Sequence, residues 1–354
     1  MKSILITGGA GFVGSSLAID LRKRLPSARI IALDNLKRRG SELNLPRLRA
    51  AGIEFVHGDV RNPEDLDSVG PADALIECSA EPSVLAGRDG SPAYVVNTNL
   101  IGTVNCLEWA RRCGAGIVFL STSRVYPIAT LNHLSYRIDG DRFALDAVQS
   151  LPGASANGIG EAFPLDGPRS LYGATKLCSE LLLQEYIDMY GIKGVVNRCG
   201  VIAGPWQMGK VDQGVVALWA ARHVMGGALS YIGYGGRGHQ VRDVLHIHDL
   251  AALVLHELEH LDALSGSTFN VGGGLECSAS LAELTVLCRE ISGNEISIAS
   301  DHANRPGDVP IYITDNATVT AATGWRPRKS TRDILTDVIR WIQENADTLR
   351  PILG

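Results

Sequence analysis

The sequence predicts an α/β fold, a doubly wound parallel sheet with a smaller mixed α/β domain towards the C-terminus. Three observations predict it. Short apolar runs bounded by turn residues alternate with helix-length segments through the first half of the chain, and parallel strands need crossovers of that kind. A glycine-rich turn, Thr7-Gly8-Gly9-Ala10-Gly11-Phe12-Val13-Gly14, joins the first apolar run to the first helical segment. Beyond about residue 200 the alternation fades into Gly-rich turns, Gly226-Gly227, Gly235-Gly236 and Gly272 to Gly274.

In chain order, the predicted strands are Ser3 to Thr7, Arg29 to Leu33, Ile53 to Val56, Ala74 to Glu77, Ile117 to Ser121 and Gly194 to Asn197. Each is too short and too apolar for a surface helix and is flanked by turn residues. Between them, helices are predicted over Phe12 to Arg24, Thr98 to Cys113 and Leu171 to Met189, the last announced by Pro168 and a capping Ser170. Residues 127 to 168 are rich in Gly, Ser, Asn and Asp and read as a long loop, a kind of segment that often serves as a lid. In the C-terminal part, helical patterns cover Gln213 to Val224, Ala279 to Ile291 and Ser330 to Glu344. The expected division is a first domain of residues 1–198, completed by about 243–271, and a second made mainly of 199–354.

The 354 residues exceed one compact core of the usual ~100 to 200 residues. Hydrophobic residues make up 45% and charged ones 20%, with mean hydropathy +0.07, which excludes a disordered chain. A net charge of -5 with only short basic runs such as Lys37-Arg38-Arg39 argues against nucleic acid as a partner. Seven scattered cysteines without a Cys-x-x-Cys give neither a disulfide framework nor a zinc site. His239, His246, His248, His256 and His260 lack the spacing of a known metal motif, so no metal is expected. With no apolar run near ~18 residues, no membrane span is expected either, and the reading is a cytoplasmic protein.

Glycines at Gly8, Gly11 and Gly14 permit a tight turn and bring backbone amides close to a ligand, while the following helix N-terminus favours negative charge. The turn therefore reads as a dinucleotide cradle, with Phe12 and Val13 in its first helical turn. Asp34 ends the next strand 20 residues after Gly14 (34 minus 14), where a carboxylate binds an adenosine ribose and repels a 2′-phosphate. NAD is thus expected over NADP. Further cofactor candidates are Asn35, beside Asp34, and Asp59 with Val60 after the third strand, where Asp59 reads as a partner for the adenine amino group.

Of the nine tyrosines, only Tyr172 has a lysine four residues on, Lys176. On a helix that spacing places both side chains on one face. A phenol of ordinary pKa near ~10 becomes a better base when an ammonium stabilises its phenolate. Such a pair can move a proton to or from a hydroxyl. Thr122, at the end of the fifth strand, is placed to hold the same reacting oxygen.

Together these residues resemble the extended short-chain dehydrogenase/reductase family with its Rossmann-type fold, and within it the sugar-nucleotide epimerases and dehydratases. The resemblance rests on TGGAGFVG (Thr7 to Gly14), LSTSRVY (Leu120 to Tyr126), LYGATK (Leu171 to Lys176), QVRDVLHIHDL (Gln240 to Leu250), FNVGG (Phe269 to Gly273) and RPGD (Arg305 to Asp308). It implies catalytic roles for Thr122, Tyr172 and Lys176, with Tyr172 and Lys176 also touching the cofactor. Ala80 and Asn99 are further cofactor contacts by the same resemblance. Ser123, Arg242, Arg305 and Asp308 are the substrate-binding positions it supplies, the two arginines gripping a diphosphate. A nucleotide-sugar substrate, CDP- or UDP-linked, and a homodimer or homotetramer are implied as well.

The stretch Asp34 to Leu45, the long 127–168 segment, Asp212 to Gly214 and QVRDVLH look most like the CDP-paratose (CDP-tyvelose) 2-epimerases. Dehydratases carry Asp-Glu after the catalytic Thr to protonate and expel a hydroxyl. Ser123-Arg124 stand there instead, which argues against dehydration. Val201, three residues after Arg198, replaces the Asn usual in 4-epimerases. Glu77 to Ser83 (ECSAEPS) replaces the family's His-x-Ala-Ala, with Glu81 and Ser83 as candidates to meet the sugar. The expected reaction is an NAD-dependent epimerisation of a nucleotide-diphosphate sugar through a transient ketone, at C2 of a CDP-sugar. The alternatives are 4-epimerisation, keto-sugar reduction or a non-catalytic cofactor sensor.

Overall fold

The structure is a computed structural model that describes residues 1–209 and 214–353. The chain divides into two compact units. The first comprises Met1–Val125, Ser170–Arg198 and Leu250–Phe269; the second comprises Tyr126–Arg169, Cys199–Asp249 and Asn270–Gly354.

The strands that lie wholly or partly in the first unit are β1 (Ser3–Thr7), β2 (Arg29–Asp34), β3 (Glu54–His57), β4 (Ala74–Glu77), β5 (Gly116–Thr122), β6 (Gly194–Cys199) and β7 (Thr268–Val271). The main helices are α1 (Phe12–Arg24), α2 (Gly102–Cys113), α3 (Leu171–Tyr190) and α4 (Ile247–Glu259). The sheet runs β7-β6-β5-β4-β1-β2-β3. β1 pairs in parallel with β2 on one side and β4 on the other, so the winding reverses between β1 and β4, the place where open α/β sheets bind ligands at their strand C-termini. The register sets Thr7 opposite Leu33 and Glu77, and Glu77 opposite Phe119.

The central strands are mostly apolar and buried because helices cover both faces of the sheet. Leu5, Ile31, Leu75, Ile117 and Phe119 are buried with Leu107 and Trp109 of α2 and Leu183 of α3. At about 25 cal/mol per Å² of apolar surface, each such side chain contributes roughly 1.5–3 kcal/mol. The predicted strands and helices all form, with small shifts of their ends. Helix α2 differs most: Asn97–Ile101 make a wider π-type turn ahead of Gly102. In this turn the Asn99 carbonyl accepts from Thr103 Oγ1 (2.7 Å) and Ser179 Oγ (3.1 Å).

The second unit centres on a four-stranded sheet in which Val241–His246 pairs with Val201–Ala203, Ser278–Ser280 and Ile311–Tyr312. Leu229–Ile232 pairs separately with Ile298–Asp301. The helices Val215–Met225, Leu281–Ser292 and Thr331–Glu344 match the predicted patterns; Asp212 and Gln213 lie outside the described residues.

Three expectations are corrected. Residues 126–169, expected within the first domain, pack with the second unit. The Phe143 amide donates to His239 O (2.9 Å), and the Ile159 amide to Ile313 O (2.8 Å). Nor is this segment a structureless loop: Tyr136–Asp139 pairs antiparallel with Arg142–Leu145, and Ala154–Ser155 with Gly158–Ile159. The alternation in Tyr136 to Leu145 is too short to outweigh the surrounding Gly and Asp in the sequence. The segment that completes the first unit is Leu250–Phe269, shorter than the expected 243–271, because Val241–His246 belongs to the second unit's sheet.

Candidate active site

The glycine turn is a cradle with no room for side chains. Gly8 takes φ +62°, a left-handed conformation. A Cβ on Gly14 would lie 2.3 Å from Gly8 O, and one on Gly9 2.6 Å from Ala32. Gly11 is the N-cap of α1, without a capping side chain, and the first intrahelical bond runs from the Ser15 amide to Gly11 O (3.0 Å). The amides of Phe12, Val13 and Gly14 precede that bond, so they face outward as donors at the positive end of the helix. This arrangement fits the pyrophosphate of a dinucleotide.

Asp34 closes the other side of the turn. Its carboxylate accepts from the Ala10 amide (3.1 Å) and the Leu36 amide (2.7 Å). Burial raises its pKa, and these amides, with that of Gly11, pull against the rise. Next to it, Asn35 Nδ2 donates to Asp59 Oδ2 (2.8 Å), and Arg61 Nη2 donates to the same oxygen (2.6 Å). Burial alone would raise the Asp59 carboxyl, but the Arg61 and Asn35 bonds outweigh it and hold it at about 2. Asn35, Asp59 and Arg61 line an open cleft of about 340 Å³ with Lys37 and His57. Val60 is buried against Gly102, and its carbonyl accepts from Asn105 Nδ2 (2.8 Å).

Asn99 does something the sequence did not suggest. Fully buried on the π-type turn, its Oδ1 accepts from the Glu81 amide (2.7 Å), and its Nδ2 donates to Glu81 O (3.1 Å) and Thr175 Oγ1 (3.2 Å). It thus ties the loop after β4, which carries half-buried Ala80, to α3. In the same loop Glu81 Oε1 accepts from the Ser83 amide (3.2 Å).

Helix α3 is opened by Ser170, whose hydroxyl accepts from the Gly173 amide (3.1 Å). It carries Tyr172, half-buried, and Lys176, 2% exposed. Lys176 Nζ stands 4.2 Å above the Phe119 ring and 3.6 Å from Glu77 Oε2. One turn further on, Glu180 accepts from Arg198 Nη2 (2.8 Å) and from the Ser121 hydroxyl. Thr122, 7% exposed at the end of β5, accepts from the Arg124 amide (3.2 Å). Ser123, half-buried, begins the single 3₁₀ turn Ser123–Val125. The first unit therefore brings together the cradle, Asp34 and the α3 residues around the C-terminal ends of β1, β2, β4 and β5.

The sequence reading missed Glu77, Glu180 and Arg198 as parts of this site. Glu180 continues the i, i+4 face of Tyr172 and Lys176 and was legible in principle. The pairing of Arg198 with it, 18 residues further on, was not, because it depends on how β6 packs against α3 and not on a spacing within one element.

In the second unit, Arg242 Nη2 donates to Asp308 Oδ1 (2.7 Å) and Val309 O (2.7 Å), and Nη1 to Val241 O (2.7 Å). The Asp308 amide donates to Arg305 O (3.2 Å), so Arg305 and Asp308 share one turn. Tyr126, of the LSTSRVY run, donates to Asn270 Oδ1 of the FNVGG run (2.8 Å), and Asn270 Nδ2 donates to Ile159 O (2.9 Å).

Fold and site define an NAD-dependent enzyme of the sheet-and-cradle type, and comparison with known proteins places it. Residues 4–272 match the NAD dependent epimerase/dehydratase family, and the chain belongs to that family. It is 30% identical over 346 residues to the CDP-paratose 2-epimerase of Salmonella typhi, covering 96% of this chain and 98% of the relative. A double mutant of the Streptomyces venezuelae dTDP-glucose 4,6-dehydratase DesIV, solved with NAD bound, superimposes with TM-score 0.78 at 29% identity over 99% of each chain. The Thermus thermophilus UDP-glucose 4-epimerase in complex with NAD gives TM-score 0.76 at 26% identity, covering 96% of this chain and 99% of that one. Among the described residues no helix is long and apolar enough to cross a membrane.

Proposed function

We propose that the protein epimerises a nucleotide-diphosphate sugar at C2, the nucleotide being CDP. The observation that carries this reading is Tyr172 and Lys176 one turn apart on α3, together with Thr122 at the end of β5 followed by Ser123-Arg124 in a 3₁₀ turn, where an expelling acid pair would be needed for dehydration. NAD, when bound, supplies a hydride acceptor that returns what it takes. Everything else falls to the chain. The amides of Phe12, Val13 and Gly14 hold the pyrophosphate, and Asp34 holds the adenosine ribose. Asn35 and Asp59 line the adenine end.

Tyr172, as phenolate, removes the proton from the sugar hydroxyl as its carbon is oxidised, and gives it back when the carbon is reduced. Lys176 stabilises that phenolate through its positive charge. Thr122 donates to the same oxygen and fixes its position. Arg242 and Arg305 supply the permanent cations that suit a diphosphate, with Asp308 holding Arg242 in place. Support for C2 and CDP comes from the Salmonella typhi relative; the likeness to a UDP-glucose 4-epimerase keeps C4 of a UDP-sugar as the second reading.

Incubation of the protein with CDP- and UDP-sugars, without added NADH, tests the proposal by NMR of the products. Inversion at C2 of a CDP-sugar is expected. Loss of water from every substrate turned over would overturn it.

A further inference from the structure

Glu77 ends β4 inside the core, 1% exposed, with its Oε2 3.6 Å from Lys176 Nζ. That separation is an ion pair, longer than an ordinary N–H···O bond. Among the described residues, Lys176 Nζ has no hydrogen-bond partner, and neither has Glu77 Oε1. Thr103 Oγ1 leans on the carboxylate from α2 (3.4 Å). The strand register fixes the group, since Glu77 stands opposite Thr7 of the first strand and opposite Phe119, over whose ring the ammonium rests.

A buried ammonium with no counter-charge is costly, and an opposite charge within ~4–6 Å favours its charged form. The other groups facing this spot do not supply that charge. Cys106 from α2 has its thiol pushed well above its usual value, first by burial and then by Glu77, so it is neutral. Phe119 offers only its ring face. Glu180, four residues beyond Lys176 on α3, is taken up by Arg198 and Ser121. Tyr172, on the same face, is the group whose phenolate Lys176 has to support. Burial holds the Glu77 carboxyl above its usual value, with Lys176 and then Thr103 pulling against the rise.

We infer that Glu77 is a positioning residue for the reaction: its carboxylate keeps the Lys176 ammonium charged on the Tyr172 face of α3 while leaving the ammonium's N–H donors uncommitted. The inference rests on the proton-transfer role proposed above for Tyr172. A closer, hydrogen-bonded carboxylate would consume those donors, and a neutral residue would not hold the charge.

The test compares parent, Glu77→Gln and Glu77→Asp in kcat/KM against pH, with NAD affinity measured separately by calorimetry. Glu77→Gln is expected to bind NAD within about threefold of the parent, yet to show its alkaline limb lowered by about one pH unit or more. Glu77→Asp, which keeps the charge, moves the limb back towards the parent. An alkaline limb that stays within about 0.3 unit of the parent in Glu77→Gln, whatever the change in kcat, overturns the inference.

If Glu77→Gln folds poorly, the double variant Glu77→Gln/Lys176→Met is read by Tm. Recovery of more than half of the single variant's Tm loss supports the counter-charge, and a further loss overturns it. Tyr172→Phe run in parallel separates the two claims. Parent-like turnover by Tyr172→Phe means that the proton-transfer reading has failed. An inactive Tyr172→Phe beside an unmoved Glu77→Gln limb means that only the role of Glu77 has.

Discussion

Arg198 on β6 and Glu180 on α3 form an ion pair at 2.8 Å with 7% and 1% of their side chains exposed. The Ser121 hydroxyl bonds the other carboxylate oxygen, so the pair abuts the residue before Thr122. Buried pairs of this kind add little net stability, but breaking one strands a charge, at a cost of about 3–5 kcal/mol. Glu180→Leu should therefore destabilise the protein by about that much in urea unfolding, and Glu180→Leu/Arg198→Met by less than half of it. Equal losses in single and double variants would show that packing, not charge, is what the site needs.

Tyr172→Phe removes one oxygen from the proposed proton carrier and leaves the ring in place. Fold and bound NAD should survive, while kcat falls by ~10² to 10⁴, the usual worth of a positioned acid–base group. Turnover within about threefold of the parent on a substrate that the parent epimerises would remove Tyr172 from the chemistry.

The cradle makes a prediction about space. A methyl at position 14 would overlap Gly8 O at 2.3 Å, so Gly14→Ala must displace the turn that carries the helix amides. The variant should purify with little NAD and show a Kd for NAD raised ~10²-fold or more, equivalent to ~3 kcal/mol. Asp34→Ala tests the other end: NAD should weaken by ~10- to 100-fold, the worth of a hydrogen bond to a charged group, while NADP improves relative to it. Full NAD occupancy in Gly14→Ala would mean that the phosphates lie elsewhere.

Glu257 on α4 gives a pH prediction. Its carboxyl is fully buried, one oxygen accepts from Asn197 Nδ2 (2.8 Å), and burial raises its pKa to about 8 against the Asn197 bond. In the unfolded chain the group titrates near ~4.3. Between those values the native state holds a proton that the unfolded state has lost, so stability falls as pH rises through this window and levels off above about 8. Glu257→Gln carries no such proton. Its stability relative to the parent should be flat below ~4.3, climb by ~1.4 kcal/mol per pH unit within the window, and level off above it. A difference independent of pH between 5 and 9, in denaturant titrations at each ~1 unit step, would show that the group ionises as freely folded as unfolded.

What the sequence made legible follows the range of each interaction. β1, α1 and the cradle are local, and Gly8, Gly11, Gly14 and Asp34 carry their requirement in residue type, so both fold and cofactor were readable there. Tyr172 and Lys176 could be paired in the sequence because one helical turn joins them. Glu77 stood in plain view within ECSAEPS, yet its partner lies 99 residues away (176 minus 77) and only the β4-β5 register with Phe119 brings them together. The assignment of residues 126–169 failed for the same reason. What fixes them is hydrogen bonding to His239 and Ile313, and no local pattern encodes partners so far along the chain.

The final prediction separates epimerisation from its neighbours in the family. With Ser123-Arg124 after Thr122, where the expelling acid pair of a dehydratase would stand, the proposed reaction would be redox-neutral and would release no water. Supplied with CDP- and UDP-sugars deuterated at C2 or at C4, one at a time and without added NADH, the enzyme should invert one labelled carbon and leave deuterium on it. A hydride moved through the cofactor does not exchange with water, whereas a proton drawn from beside a carbonyl does. NMR locates the label and mass spectrometry counts it. Retention with inversion at C2 of the CDP-sugar is the expected outcome, and the same result at C4 would transfer the reading to 4-epimerisation. Label lost to solvent would mean proton abstraction next to a ketone, with Tyr172 acting on carbon and not on oxygen. A product lighter by one water would mean that some other residue does the work of the missing acid pair.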